Sequence, residues 1–412
     1  MITSKTQIRL HGIGRLIGLS FLIFHLSFSS VAAQTLGRYR AEFSLTAIDF
    51  IDTLSIEWER EQVFVPITIG GRSYRFLLDT GAGMSVVYSG TPLADSPHAG
   101  DIISHDATGR SDTVRMVALP ALQLGSVALY GCRATVQQRG AARQPFDGIL
   151  GFDLVNGGLS MKIDVARRQL VVTDRRRFFD REEGAVRMRY WLNYHVPYID
   201  VMPFGHHREQ MLFDTGSRQF LSINKRHFDE AMENGDTACC TVEGRSVGRH
   251  AIGHYGTEPE GEVTFLQLDR LRLGHCCFSD VHAITTQGGS HLGAPLLAYG
   301  AVAFSPASRR MLFYPAEQTT RCATVGNEQL DIAFVADPQG RAQVGLLWEQ
   351  GTPYRQGFRQ GDIIEQIDHR PVRGFAHFVN WGFEPGREYI FTVRSQQGER
   401  RDVHWVRLEQ EH

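Results

Sequence analysis

The pattern of apolar and polar residues predicts a β-rich chain in which one hairpin design occurs twice. In the first copy, an apolar strand at residues 63–69 is followed by two glycines and a second apolar strand at 74–78. A glycine turn between two such runs is typical of a β-hairpin. The second copy has strands at residues 195–201 and 210–213, with a proline in the matching position.

Each second strand leads directly into an Asp-Thr-Gly turn. The two turns consist of Asp79, Thr80 and Gly81 in the first copy and Asp214, Thr215 and Gly216 in the second. A single Asp-Thr-Gly is an ordinary turn sequence, and its aspartate can serve only to cap a strand end. Burying an aspartate after an apolar strand is costly unless it is paired or hydrogen-bonded. Two copies with the same apolar lead-in therefore favour a shared function.

The similarity between the copies continues downstream of the turns. An apolar-apolar-glycine element occupies residues 149–151, and residues 291–293 hold the matching place in the second copy. The two aspartates are 135 positions apart. We interpret this as an internal duplication, which predicts two β lobes related by a pseudo-two-fold axis.

Composition narrows the class of protein. The chain has 412 residues, of which 42% are hydrophobic and 21% charged, as in an ordinary globular protein. The 42 glycines suit a turn-rich β architecture. The net charge of -2 gives no indication of nucleic acid as a partner.

The N-terminus has the pattern of a signal peptide at residues 1–33. Three basic residues precede an apolar run at 16–28, and small residues at 31–33 suit cleavage. A membrane anchor is the alternative, but the run is short and contains His25. We expect an exported protein, periplasmic or secreted, with no membrane anchor after signal removal.

The remaining chain divides into five predicted segments. These are an N-terminal lead-in at 34–62, a first lobe at 63–174, a linker at 175–189, a second lobe at 190–318 and a small α/β domain at 326–412. The linker is rich in charge, which favours a solvated connection.

Six cysteines in an exported chain are compatible with disulfides. Four of them form the adjacent pairs 239–240 and 276–277, and bridges between these pairs are plausible, although the connectivity stays open. A zinc site with the nearby His250, His254 and His275 is the alternative. The Cys-x-x-Cys spacing of zinc sites is missing, so we expect no metal and no cofactor.

Two carboxylates that face each other cannot both ionise easily, so they share one proton. The ionised member can take a proton from water while the protonated one polarises a carbonyl, which hydrolyses an amide without a metal or a covalent intermediate. Thr80 and Thr215 can hydrogen-bond across to the opposite turn. Gly81 and Gly216 can offer their backbone N–H groups to the carboxylates.

With these motifs, the chain resembles a bilobal aspartic endopeptidase of the pepsin/retropepsin type with a C-terminal PDZ-like domain, as in exported bacterial proteins. The resemblance covers residues 63–315 for the peptidase and 329–408 for the PDZ-like part. It implies that Asp79 and Asp214 are the catalytic residues. One departure is Arg218, which could depress a neighbouring carboxyl pKa, although we expect it to point outward.

The resemblance also implies hairpin flaps that close over the substrate. The first flap would span residues 102–116 with Thr108 and Gly109 at its tip, and the second would include Tyr255. In the PDZ-like domain, an edge strand near residues 332–334 would capture the C-terminus of a peptide.

We therefore predict an aspartic endopeptidase that is a monomer, because one chain carries both halves of the site. Its partner would be a peptide or protein substrate in the cleft between the lobes. The alternative is a catalytically inactive peptide-binding protein that retains the protease fold. A glycosidase with paired carboxylates would not require the duplicated turns.

Overall fold

The computed structural model describes residues 42–406 except 107, 141–145, 205–206, 236–238, 254, 318–320 and 385. The fold is mainly β, as the sequence predicts. Within the described part of the chain, no helix is long and apolar enough to cross a membrane. The predicted signal peptide at 1–33 lies outside the described residues.

The first half of the chain consists almost entirely of strands. In chain order these elements are β1 (Ser44–Leu45), β2 (Ile51–Ser55), β3 (Glu57–Glu59), β4 (Gln62–Ile69), β5 (Arg72–Leu78), β6 (Val86–Tyr88), β7 (His98–His105), β8 (Ser111–Ala118), β9 (Leu122–Leu124), β10 (Val127–Tyr130), β11 (Arg133–Gln137), β12 (Gly148–Leu150), helix α1 (Asp153–Asn156), β13 (Ser160–Asp164) and β14 (Gln169–Thr173). An 11-stranded sheet has the order β1-β10-β9-β4-β5-β12-β6-β11-β8-β7, with β3 paired to β4.

The second half adds fifteen strands and one longer helix. They are β15 (Val186–Asn193), β16 (Val196–Phe204), β17 (His207–Asp214), β18 (Leu221–Asn224), α2 (Lys225–Glu233), β19 (Cys240–Gly248), β20 (Ile252–Gly253), β21 (Gly256–Thr257), β22 (Gly261–Leu268), β23 (Leu271–Leu273), β24 (Cys276–Ser279), β25 (Val281–Thr286), β26 (His291–Gly293), β27 (Gly300–Ser305), β28 (Arg310–Pro315) and β29 (Ala323–Thr324). Two 3-10 helices lie at Phe179–Arg181 and Ala294–Tyr299. β2, β13 and β14 join this half in a 16-stranded sheet.

The same strand pairing surrounds both predicted turns. β5 lies parallel to β12, which is antiparallel to β6. β17 lies parallel to β26, which is antiparallel to β18. Alternate residues of these strands enter one large apolar core, because side chains alternate between the faces of a sheet. The remaining residues, including the aspartates, face the other side.

The segment predicted as a solvated linker, 175–189, is partly packed. Phe179 is buried in a cluster with Ala303 and Leu312, and β15 already begins at Val186, where it pairs with β28. The prediction of a solvated linker is wrong at these positions. The charges of the run flank an apolar pair, Phe178–Phe179, whose burial stabilises the segment.

The disulfide joins Cys277 to Cys322, whereas Cys239, Cys240 and Cys276 are free. The bridges that were plausible between the two adjacent cysteine pairs are therefore not formed. β24 pairs with β29, and this pairing places Cys322, directly before β29, next to Cys277. Over the described residues, no group of three or more His, Cys, Asp or Glu side chains is placed to hold a metal ion. His254 of the alternative zinc site lies outside them.

The C-terminal part forms a six-stranded sheet with its own apolar core. Its elements are β30 (Ile332–Ala336), β31 (Ala342–Leu347), α3 (Thr352–Gln356), β32 (Ile363–Ile367), β33 (Arg370–Pro371), α4 (Phe375–Val379), β34 (Glu388–Arg394) and β35 (Arg400–Val406). β30 is an edge strand, as expected. The Arg249 amide donates to the Gly345 carbonyl at 2.9 Å, so β31 docks beside the end of β19.

Candidate active site

Strand alternation positions both aspartates on the same kind of surface. Leu78 and Phe213 point into the large core. Because successive residues of a strand alternate between its faces, the next residues, Asp79 and Asp214, point away from the core. The Asp79 amide donates to the Leu150 carbonyl at 3.0 Å, which anchors the turn to β12. Both aspartates remain partly exposed. A substrate can therefore reach the carboxylates from this side.

Two buried threonines bind the turns to each other reciprocally. The Thr80 hydroxyl accepts from the Thr215 amide at 3.0 Å and donates to the Phe213 carbonyl at 2.6 Å. The Thr215 hydroxyl accepts from the Thr80 amide at 3.0 Å and donates to the Leu78 carbonyl at 2.7 Å. Each hydroxyl thus satisfies two backbone groups of the opposite turn, and the four bonds fix the distance between the turns.

The glycines of the turns allow each carboxyl group to approach the opposite backbone. A Cβ at Gly81 would lie 2.6 Å from the Asp214 carboxyl carbon, and one at Gly216 would lie 2.6 Å from that of Asp79. No side chain fits at such a distance. The structure therefore brings together all six turn residues that the sequence singled out.

The aspartates accept hydrogen bonds from their own turns. Oδ1 of Asp79 accepts from the amides of Gly81 at 2.8 Å and Ala82 at 3.2 Å, and Oδ1 of Asp214 accepts from Gly216 at 2.8 Å. Burial, together with the charge of Asp214 and a hydrogen bond to it, raises the pKa of Asp79 well above its ordinary value. The carboxyl groups thus lie close enough for the charge of Asp214 to oppose ionisation of Asp79.

The apolar-glycine elements support the turns from behind. The Phe152 amide, next to Gly151, donates to the Ala82 carbonyl at 2.8 Å, and the Ala294 amide, next to Gly293, donates to Ser217 at 2.9 Å. The second element has His291 where the first has the apolar Ile149, yet its backbone makes the equivalent contact.

Arg218 is exposed, and its Nε donates to the Arg60 carbonyl at 2.9 Å. This placement agrees with the expectation that Arg218 points outward.

Two loop tips contact each other through Asp106. The tip between β7 and β8 is an Asx turn in which Oδ1 of Asp106 accepts from the Thr108 amide at 3.0 Å and hydroxyl at 2.7 Å. Gly109 closes it with φ +79°. Oδ2 of Asp106 accepts from the Tyr255 amide at 2.7 Å. The structure thus brings the three predicted flap residues together.

Sequence reasoning missed Asp106. The Asp-x-Thr-Gly spacing at 106–109 indicates an Asx turn, but the bond to Tyr255 joins residues 149 positions apart. The tip is connected to the first Asp-Thr-Gly turn through Tyr194. The Tyr194 ring packs on His105 at 4.4 Å, and its carbonyl lies against Gly83.

Asp106→Ala is expected to loosen the contact between the tips. The Tyr255 amide loses its acceptor, so its hydrogen exchange should become about tenfold faster, as for the loss of one net hydrogen bond. Asp106→Asn keeps one acceptor oxygen and should give an intermediate rate. Asp112→Ala, an exposed change on the same hairpin, is the control. Unchanged exchange at Tyr255 in the alanine variant would contradict the contact.

The raised pKa of Asp79 predicts a pH-dependent effect on stability. A carboxyl whose folded-state pKa lies above its unfolded value of 3.8 contributes its full stability below that value and loses it as pH rises through the folded pKa. Asp79→Asn removes this loss and should raise the Tm at neutral pH, by about 3 °C for each kcal/mol of stability regained. Below pH 3.8 the Tm values of both proteins should converge. Thermal melts measure this, and parallel curves at all pH values would disprove the raised pKa.

Comparison with known proteins agrees with this site in one region. Residues 65–154, which contain Asp79 but not Asp214, match the aspartyl protease family. No curated protein matches the chain. Among solved structures, it is similar to the aspartic proteinase from Irpex lacteus, with 12% identity, a TM-score of 0.42, and coverage of 66% of this chain and 99% of that one. The family match covers less than half of the chain and contains the first turn with its apolar-glycine element.

Proposed function

We propose that this protein is an aspartic endopeptidase in which Asp79 and Asp214 share one proton and activate a water molecule. The observation that carries the proposal is the reciprocal bonding of Thr80 and Thr215. These bonds hold two Asp-Thr-Gly turns in a fixed relation, with each carboxyl group against the opposite glycine. The family match around the first turn supports the same chemistry.

In this reaction the ionised carboxyl takes a proton from water as the water oxygen attacks the peptide carbonyl. The protonated carboxyl donates its proton to the carbonyl oxygen, and a tetrahedral diol forms. One carboxyl group then protonates the departing nitrogen while the other takes a proton from a hydroxyl of the diol. The C–N bond breaks, the carbonyl of the new carboxyl product forms, and the Asp79–Asp214 dyad again holds one proton. The Gly81, Ala82 and Gly216 amides orient the carboxyls throughout.

The wider organisation belongs to the same proposal. The two halves would be lobes related by a pseudo-two-fold axis, with the cleft between them binding a peptide or protein substrate of a monomeric enzyme. The C-terminal sheet would be a PDZ-like domain that adds a peptide C-terminus to its edge strand β30. The protein would be exported after removal of residues 1–33.

Incubation of the purified mature protein with denatured casein across pH tests this function. We expect cleavage at acidic to neutral pH, with inhibition by a statine-type transition-state mimic. A protein that binds peptides without cleaving them, and shows no preference for the mimic, would be the inactive alternative. Absence of both cleavage and mimic binding would reject the dyad mechanism.

A further inference from the structure

The two sides of the dyad differ in chemistry at positions that the strand register makes equivalent. Leu77 on β5 pairs with Ile149 on β12, and Leu212 on β17 pairs with His291 on β26. Paired residues of adjacent strands point to the same face of a sheet. Ile149 and His291 therefore flank Asp79 and Asp214, respectively, from matching positions.

On the side of Asp79 this face is apolar. It is formed by one cluster: Phe64, Leu77, Val86, Tyr88, Phe146 and Ile149. The charge of Asp79 contributes, after burial, to a raised pKa of Tyr88, so the cluster extends to the dyad. Ile149 is the partly exposed member of this cluster, so it presents an aliphatic side chain on this side.

On the side of Asp214 three of the equivalent positions are polar. Tyr198 pairs with Leu212, as Phe64 pairs with Leu77. Ser222 pairs with His291, as Val86 pairs with Ile149. Phenylalanine, valine and isoleucine on one side thus correspond to tyrosine, serine and histidine on the other.

The imidazole of His291 faces the dyad and retains an open nitrogen. Leu292 enters the core, so the neighbouring His291 points to the face of Asp214. Burial lowers the pKa of His291, and the charge of Asp214 opposes this shift. Its Nδ1 lies 3.4 Å from the Ser222 hydroxyl, which is its only hydrogen-bond partner among the described residues. Nε2 is therefore available, and the residue is partly exposed.

We propose that His291 is a specificity-determining residue that selects a polar, hydrogen-bonding substrate side chain on the Asp214 side of the scissile bond. The Asp79 side would select an apolar side chain. The proposal rests on the peptide cleft of the proposed function. An apolar side chain against His291 and Ser222 leaves buried polar groups without partners, which a matching polar side chain avoids.

Equilibrium binding of non-cleavable peptides tests the assignment without requiring catalysis. Each peptide carries a methyleneamine in place of the central amide, with glutamine or leucine on one side of it or on the other. His291→Ile, which copies Ile149, should shift the Gln/Leu preference at one side by about tenfold toward leucine and leave the other side unchanged. His291→Gln, which keeps a hydrogen-bonding group, should retain the preference for glutamine.

His275→Ile, an exposed change on the turn between β23 and β24, is the matched control. Circular dichroism melts test whether each variant is folded. If His291→Ile does not fold, His291→Gln is compared with the wild type instead. An unchanged Gln/Leu preference at both sides in His291→Ile overturns the proposal, as does a wild-type protein that binds none of the peptides.

Cleavage of the same sequences with ordinary amides separates this inference from the proposed function. A shift in binding preference without any cleavage would support the role of His291 and reject the endopeptidase. Cleavage with an unchanged preference would reject the role of His291 and leave the endopeptidase intact.

Discussion

Replacing either Asp79 or Asp214 by asparagine is expected to lower kcat/KM for peptide cleavage by about 10³-fold or more. General acid–base catalysis by a positioned side chain contributes typically 10²–10⁴-fold. Asparagine retains the acceptor that binds the Gly81 or Gly216 amide but cannot exchange a proton. Because both carboxyls share one proton, loss of one disables the other. Initial rates on an unstructured protein substrate measure the effect.

The double variant discriminates a shared site from two independent ones. Residues that act as a unit show non-additive losses, so Asp79→Asn combined with Asp214→Asn should be no slower than either single variant. Asp200→Asn, on the exposed surface of the second hairpin, should leave the rate unchanged. Wild-type rates in either single dyad variant would show that the shared-proton mechanism is wrong.

The local parts of the candidate site could be predicted from the sequence because their causes are local. An apolar strand that ends in Asp-Thr-Gly defines its turn and the face of its aspartate through the two-residue period of a strand. Duplication then added what one copy could not supply, the second carboxyl group. The reciprocal threonine bonds were expected from the same symmetry, and Thr80 and Thr215 make them.

What could not be predicted depends on contacts between distant residues. The bond from Tyr255 to Asp106, the Cys277–Cys322 bridge and the position of His291 beside Asp214 are consequences of strand pairing that no local pattern specifies. The linker prediction failed for a different reason. The prediction followed the many charged residues of this segment. The structure there depends instead on one aromatic residue, Phe179, which is buried.

Thr80→Val is expected to destabilise the protein by about 3 kcal/mol and to impair cleavage. Valine has nearly the shape of threonine, but it leaves the Thr215 amide and the Phe213 carbonyl buried without a partner. Each unsatisfied buried group costs about 1–3 kcal/mol. The free energy of unfolding from urea titration measures the loss. Cleavage should fall because the distance between the two carboxyl groups is no longer fixed.

Thr80→Ser keeps the hydroxyl and should retain most of the stability and activity, which separates the hydrogen bonds from the lost methyl group. Thr215→Val should destabilise the protein by a similar amount, because the Thr215 hydroxyl makes the reciprocal pair of hydrogen bonds to the Thr80 amide and the Leu78 carbonyl. The double valine variant should lose less than the sum of both, because residues in one network do not contribute independently. Additive losses would mean that the two turns are held independently, and the cross-connection would then not be what aligns the dyad.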